Sequence, residues 1–116
     1  MTDKGACFHL TVAALNRGSR NLPLETLKKM ENVYAVHGFV RGTTGKPVMH
    51  SWLEFNTGKY RFAWDSSMDR VFNRAEYYDL INAKPKYRLT PERYSKLRNR
   101  FKHPGYYTQE ELRSIK

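Results

Sequence analysis

Three side chains far apart in the chain have the types required for covalent acyl transfer: Cys7, His50 and Asp65. A cysteine thiolate attacks an acyl carbon, an imidazole takes and returns the proton, and a carboxylate fixes the imidazole's tautomer and orientation. Cys7 is the only cysteine among 116 residues, so no internal disulfide claims it. His50 opens the run His50-Ser51-Trp52-Leu53-Glu54, and Asp65 follows Trp64. The function turns on whether the elements carrying these residues bring them together.

Asp3 can cap a helix that starts near Gly5, carries Cys7, Leu10, Ala14 and Leu15 on one face, and ends near Asn16-Arg17-Gly18. Cys7 then lies in the first turn, where unpaired backbone N–H groups and the positive end of the helix dipole favour thiolate over thiol. Pro23 suits the start of a second helix, Leu24 to Glu31, with Leu24, Leu27 and Met30 inward.

From Asn32 the pattern changes to strands: Val33 to Arg41, then Val48 to Asn56 after the loop Gly42-Thr43-Thr44-Gly45-Lys46-Pro47, then Lys59 to Asp65. A two-residue Thr57-Gly58 turn pairs Asn56 with Lys59. That register sets Phe55 opposite Tyr60 and Leu53 opposite Phe62 on one face, with Glu54 opposite Arg61 and Trp52 opposite Ala63 on the other. It also sets His50 opposite Asp65, with Cβ atoms about 4.5–5.5 Å apart, within reach of a hydrogen bond.

With these residues placed, the chain resembles the transglutaminase-like and papain-like cysteine hydrolase superfamily: Gly-x-Cys opening a helix, His-x-Trp-x-Glu on a strand, and an Asp closing the next strand. A narrower similarity runs through Val36-His37-Gly38, His50 to Glu54, Trp64-Asp65-Ser66, Tyr87-Arg88-Leu89-Thr90-Pro91-Glu92 and His103-Pro104-Gly105-Tyr106. It resembles a group of small proteins of bacteria and their phages. The resemblance implies one papain-like or transglutaminase-like domain over residues 1–116, with Cys7 as nucleophile, His50 as general base and acid, and Asp65 as orienting group. It also implies a bacterial cytoplasmic setting, with a bacterial or a phage gene. Papain-like enzymes carry a glutamine upstream of the cysteine to help hold the oxyanion, and none precedes Cys7. The donors would be the Cys7 N–H with another group, and Gln109, the only glutamine, is the side-chain candidate.

Around this triad, Trp52 is either core or a wall of the substrate cleft, and His37 on the first strand is either a structural histidine or a cleft residue. Glu54 is expected to balance Arg61 at the surface. His9 points away from Cys7 on the helix, and His103 before Pro104-Gly105 belongs to a turn. Cys7, His9, His37, His50 and His103 have no spacing that clamps a metal, so neither metal nor other cofactor is expected.

Lys and Arg number 21 against 11 acids, a formal charge of +10 that calls for an acidic partner or nucleic acid to be weighed. Residues 84–102 hold eight of the basic residues against one acid, Glu92, with aromatics among them. Arg74 to Asn82 has helical spacing, Thr90-Pro91 starts a helix with Tyr94, Leu97 and Phe101 at inward spacing, and Thr108-Gln109-Glu110-Glu111 is a capping box for a last helix bearing Leu112 and Ile115. The competing reading is therefore a non-catalytic basic protein that binds nucleic acid or an acidic host protein through the Lys84 to Lys102 region. No apolar run is long enough for a membrane span, and the first residues lack a signal-peptide pattern, so a soluble cytoplasmic protein is expected. The fold expected is α+β: a cysteine-bearing N-terminal helix on a small antiparallel sheet, followed by C-terminal helices. The function expected is acyl transfer on a protein or peptide-like amide, whether by hydrolysis, deamidation or transglutamination.

Overall fold

The computed structural model describes residues 6–115. The expected cap at Asp3 and the helix start at Gly5 lie outside them. Helix α1 spans Ala6–Arg17 and α2 spans Leu24–Lys28, shorter than the Leu24 to Glu31 expected. Strands β1 (Asn32–Arg41), β2 (Pro47–Thr57), β3 (Tyr60–Asp65) and β4 (Arg70–Asn73) follow, then α3 (Arg74–Ile81), β5 (Lys84–Leu89), α4 (Pro91–Phe101) and α5 (Gln109–Ser114). The strands form one antiparallel sheet in the order β4-β3-β2-β1-β5. The α+β architecture expected from the sequence is present, with β4 and β5 as strands that the period-two pattern did not reveal. β4 has only four residues, and β5 carries Pro85 and three cations, which mask its alternation.

Alternation along the strands gives the sheet two faces that each carry an apolar core. On the first, Ala35, Leu53, Phe55, Trp64 and Leu89 form a core with Ala14 of α1, Leu27 of α2, Tyr94 and Leu97 of α4, Tyr107 and Leu112. On the second, Val36, Trp52, Ala63 and Phe72 pack against Tyr77 of α3, with Tyr78 and Ile81 beside them. The chain reaches β5 by carrying α3 across this second face, from the β4 edge to the β1 edge. Local signals agree with these elements: Thr90 caps α4 with Pro91 behind it, Asn73 caps α3, and Thr108 with Glu111 completes a capping box on α5.

The β2–β3 register differs from the one expected. Thr57 pairs with Tyr60, Phe55 with Phe62 and Leu53 with Trp64. The turn is Gly58-Lys59, because Gly58, at φ +55°, supplies the left-handed residue at the first turn position rather than the second. Each residue therefore meets a partner two positions beyond the one expected, and a shift of two preserves the faces. Lys59 leaves the strand, and Glu54 faces Ala63 instead of Arg61.

Candidate active site

α1 lies along β2, with Ala14 in the first core and Cys7 two turns earlier on the same side of the helix. Cys7, the second residue of α1, is half-buried, and its carbonyl accepts the Thr11 hydroxyl at 2.7 Å, which ties the first turn to the second. In the register found, Asp65 falls level with Trp52, and His50 lies one step further along β2 on the same face. His50 and Asp65 are thus diagonal neighbours, a spacing of about 7–8 Å that long side chains bridge. They do so: His50 Nε2 and Asp65 Oδ2 are 2.7 Å apart. β3 ends at Asp65, so no partner strand closes the flank of β2 at His50, and the Cys7 side chain stands near enough to the imidazole to favour its charged form.

Asp65 is 1% exposed and fully engaged. Oδ2 accepts from His50 and from the Tyr77 hydroxyl of α3; Oδ1 accepts from the Ser67 N–H at 2.8 Å and the Ser67 hydroxyl at 2.5 Å. Burial alone would raise its pKa, but hydrogen bonds and the charge of His50, with help from Ser67 and Tyr77, lower it to about 2. The same bonds act on His50, where burial favours the neutral ring but the bonds and charges of Asp65 and Cys7 outweigh it and raise the pKa to about 9. An ionised Asp65 accepts, so Nε2–H donates to it, and below about pH 9 Nδ1 carries a proton as well.

The support behind this pair is built from the same face of β2. Trp52 is 0% exposed and stacks on His50, with ring centroids 6.1 Å apart and planes 30° apart. Its indole N–H donates at 2.9 Å to Glu54, which also accepts from the Tyr78 hydroxyl and from Arg88 Nε at 3.0 Å. Trp52 is therefore a buried support of the imidazole and not a cleft wall. Glu54 is likewise a buried anchor, because its side chain points into the space beside α3 and not along the strand towards Arg61.

His37 lines no cleft. It is 0% exposed, on the opposite face of the sheet from His50, enclosed by Phe8, Tyr87, Tyr94 and Tyr107. Tyr87's hydroxyl accepts the Tyr107 N–H and hydrogen-bonds His37 Nδ1 at 2.7 Å, and burial drives the pKa of His37 down to about 3. Gln109 stands exposed at the start of α5 and makes no hydrogen bond to Cys7, His50 or Asp65.

Sequence reasoning missed Tyr77, Ser67 and the burial of Glu54. Asp65-Ser66-Ser67 carries a local signal, since an Asp side chain readily accepts the N–H two residues on. Glu54 shares a strand face with His50 and Trp52, a signal that alternation offers. Nothing local marks Tyr77, because its approach to Asp65 depends on α3 crossing the sheet. Among the described residues no helix is long and apolar enough to cross a membrane. No family model, curated protein or solved structure matches the chain.

Proposed function

We propose that the protein is a cysteine-dependent acyl-transfer enzyme acting on an amide or peptide bond. One observation carries this reading: a single imidazole is bound to a buried carboxylate through Nε2 and has the Cys7 side chain close enough to raise its pKa. The thiol's proton is held on His50, whose ring is charged below about pH 9, and the thiolate adds to the carbonyl carbon. The carbonyl electrons collect on an oxyanion facing the first turn of α1. As the oxyanion collapses, the C–N bond breaks, the His50 proton goes to the leaving amine, and a Cys7 thioester remains. Water, or a second amine, then gives a proton to His50 and attacks the thioester, releasing the acyl product and restoring the thiol. Throughout, Asp65 stays ionised and keeps Nε2 protonated. Hydrolysis, deamidation and transfer to an amine share these steps.

The test is the alkylation rate of Cys7 by iodoacetamide against pH, read by intact mass, together with acetylation by p-nitrophenyl acetate. Cys7 should be alkylated at pH 6 faster than free cysteine, whose thiol ionises near pH ~8.5. His50→Ala should remove that advantage and prevent turnover of the acetyl-enzyme. An unchanged rate in His50→Ala overturns the reading. The reading as a basic binding protein has less support. Arg88 is held by Glu54, Arg93 bonds the carbonyls of Leu112 and Ile115, and Arg98 lies over the Tyr94 ring, which breaks the continuity of a free basic face.

A further inference from the structure

The second face of the sheet is only half covered. α3 has eight residues, about 12 Å of helix, and its tyrosines lie over Val36, Trp52 and Phe72. Beyond it, toward the β2–β3 turn, the face opens into a cavity of about 240 Å³ whose polar lining includes Tyr34, Glu54, Asn56, Arg61, Arg74 and Arg88. Three guanidinium groups reach it from three separate elements, β3, the first residue of α3, and β5.

The charges do not balance. Glu54 is the only carboxylate in the lining. Its Oε2 is taken by Trp52 and Tyr78 and its Oε1 by Arg88, with Arg74 Nη1 further off at 3.8 Å. Arg61 forms no ion pair among the described residues. Arg88 is fixed in orientation, because Nε meets Glu54 and Nη2 donates to Tyr78 at 2.8 Å. A fixed guanidinium with two further cations and an amide beside it, inside a concavity, suits a tetrahedral oxyanion with two negative charges. Its oxygens can accept forked N–H pairs that a monovalent spherical ion cannot use as well.

We propose that this cavity binds a phosphate monoester group, held by Arg61, Arg74 and Arg88 with Asn56 at its side. The site is separate from the thiol. Glu54 lies four residues along β2 from His50, roughly 13 Å at ~3.3 Å per residue, and Tyr77 and Tyr78 stand between them. A ligand in this cavity therefore does not reach Cys7 directly, and binding does not depend on the acyl-transfer reading.

The experiment is an NMR titration of the full chain with inorganic phosphate, chloride being used to hold ionic strength constant, followed at the arginine Nε–H signals. Phosphate should shift Arg61, Arg74 and Arg88 along one saturating curve. Arg61→Gln and Arg74→Gln, both outside the two cores, should each weaken binding about tenfold. Arg61→Lys should weaken it too, since it keeps the charge but loses the fork. A response matched by chloride, shifts confined to the arginines of α4, or full affinity in Arg61→Gln with a native spectrum would each overturn the proposal.

Discussion

At the scale of single residues, Asp65 decides more than any other side chain near Cys7. Its four accepted hydrogen bonds come from β2, α3 and its own turn, so it is both an orienting group and a structural junction. Asp65→Asn turns one acceptor position into an amide donor facing His50 Nε2–H or Tyr77 O–H. The imidazole must then change tautomer or lose its partner. The proposed acyl transfer should fall by ~10⁴-fold, because the wrong nitrogen then carries the proton. Stability should fall by about 3–5 kcal/mol, the usual cost of breaking a buried pair on one side. Urea unfolding and the p-nitrophenyl acetate burst would measure the two effects separately. Tyr77→Phe removes one of the four bonds and should cost about 1–2 kcal/mol while leaving the His50 contact in place. A Phe variant as damaging as Asp65→Asn would mean that Tyr77, and not Asp65, fixes the site.

At the scale of elements, the N-terminal turn of α1 is held from below by the chain that follows α4. Phe8, next to Cys7, packs edge-on against His37 with centroids 4.8 Å apart, and the segment at Gly105 lies against both rings. Gly105 has φ +120°, and a Cβ there would stand 2.6 Å from His37 Cε1 and 2.8 Å from Nδ1. Neither can yield easily, since the ring is enclosed by aromatics. Gly105→Ala should therefore destabilise the protein by about 2–4 kcal/mol, combining backbone strain with overpacking. Thermal melting would show it, and a variant melting like the parent would mean that the segment is free to lift. A second close approach occurs where β5 crosses β1: a Cβ on Gly38 would lie 2.4 Å from the Lys84 carbonyl oxygen. The irregular pairing of the two strands falls at that point, between His37 and Gly38.

Across the whole molecule, two histidines on opposite faces of the sheet set opposite limbs of the stability profile. His37 has its pKa lowered to about 3 by burial, so between pH 6.5 and 3 the unfolded chain takes up a proton that the folded chain refuses. Stability from this group falls as pH drops below 6.5. His50, raised to about 9, contributes stability that is complete below 6.5 and is lost as pH rises through 9. Asp65, lowered to about 2, adds a loss that begins only below pH 3.8. The melting temperature should therefore peak near pH 6.5. His37→Gln should flatten the acid side of that peak and His50→Gln the alkaline side, as followed by calorimetry across pH. A profile without the two separable limbs would count against this division.

Much of the fold was legible in the chain because its signals are local: the caps at Thr90 and Thr108, the inward spacing of Tyr94 and Leu97, and the period-two run around Trp52. The faces of β2 and β3 were legible too, since alternation depends on parity and survives a register shift of two. The register was not, because it hinges on which turn position Gly58 occupies, and a glycine can take either. Cys7, His50 and Asp65 could be singled out by type and order alone. That His50 reaches Asp65 as a diagonal neighbour, that β3 stops short and leaves the flank of β2 open to Cys7, and that α3 brings Tyr77 to the carboxylate were decided by the tertiary structure. Those contacts join segments far apart in sequence, and only the packing of helices on both faces of the sheet selects them.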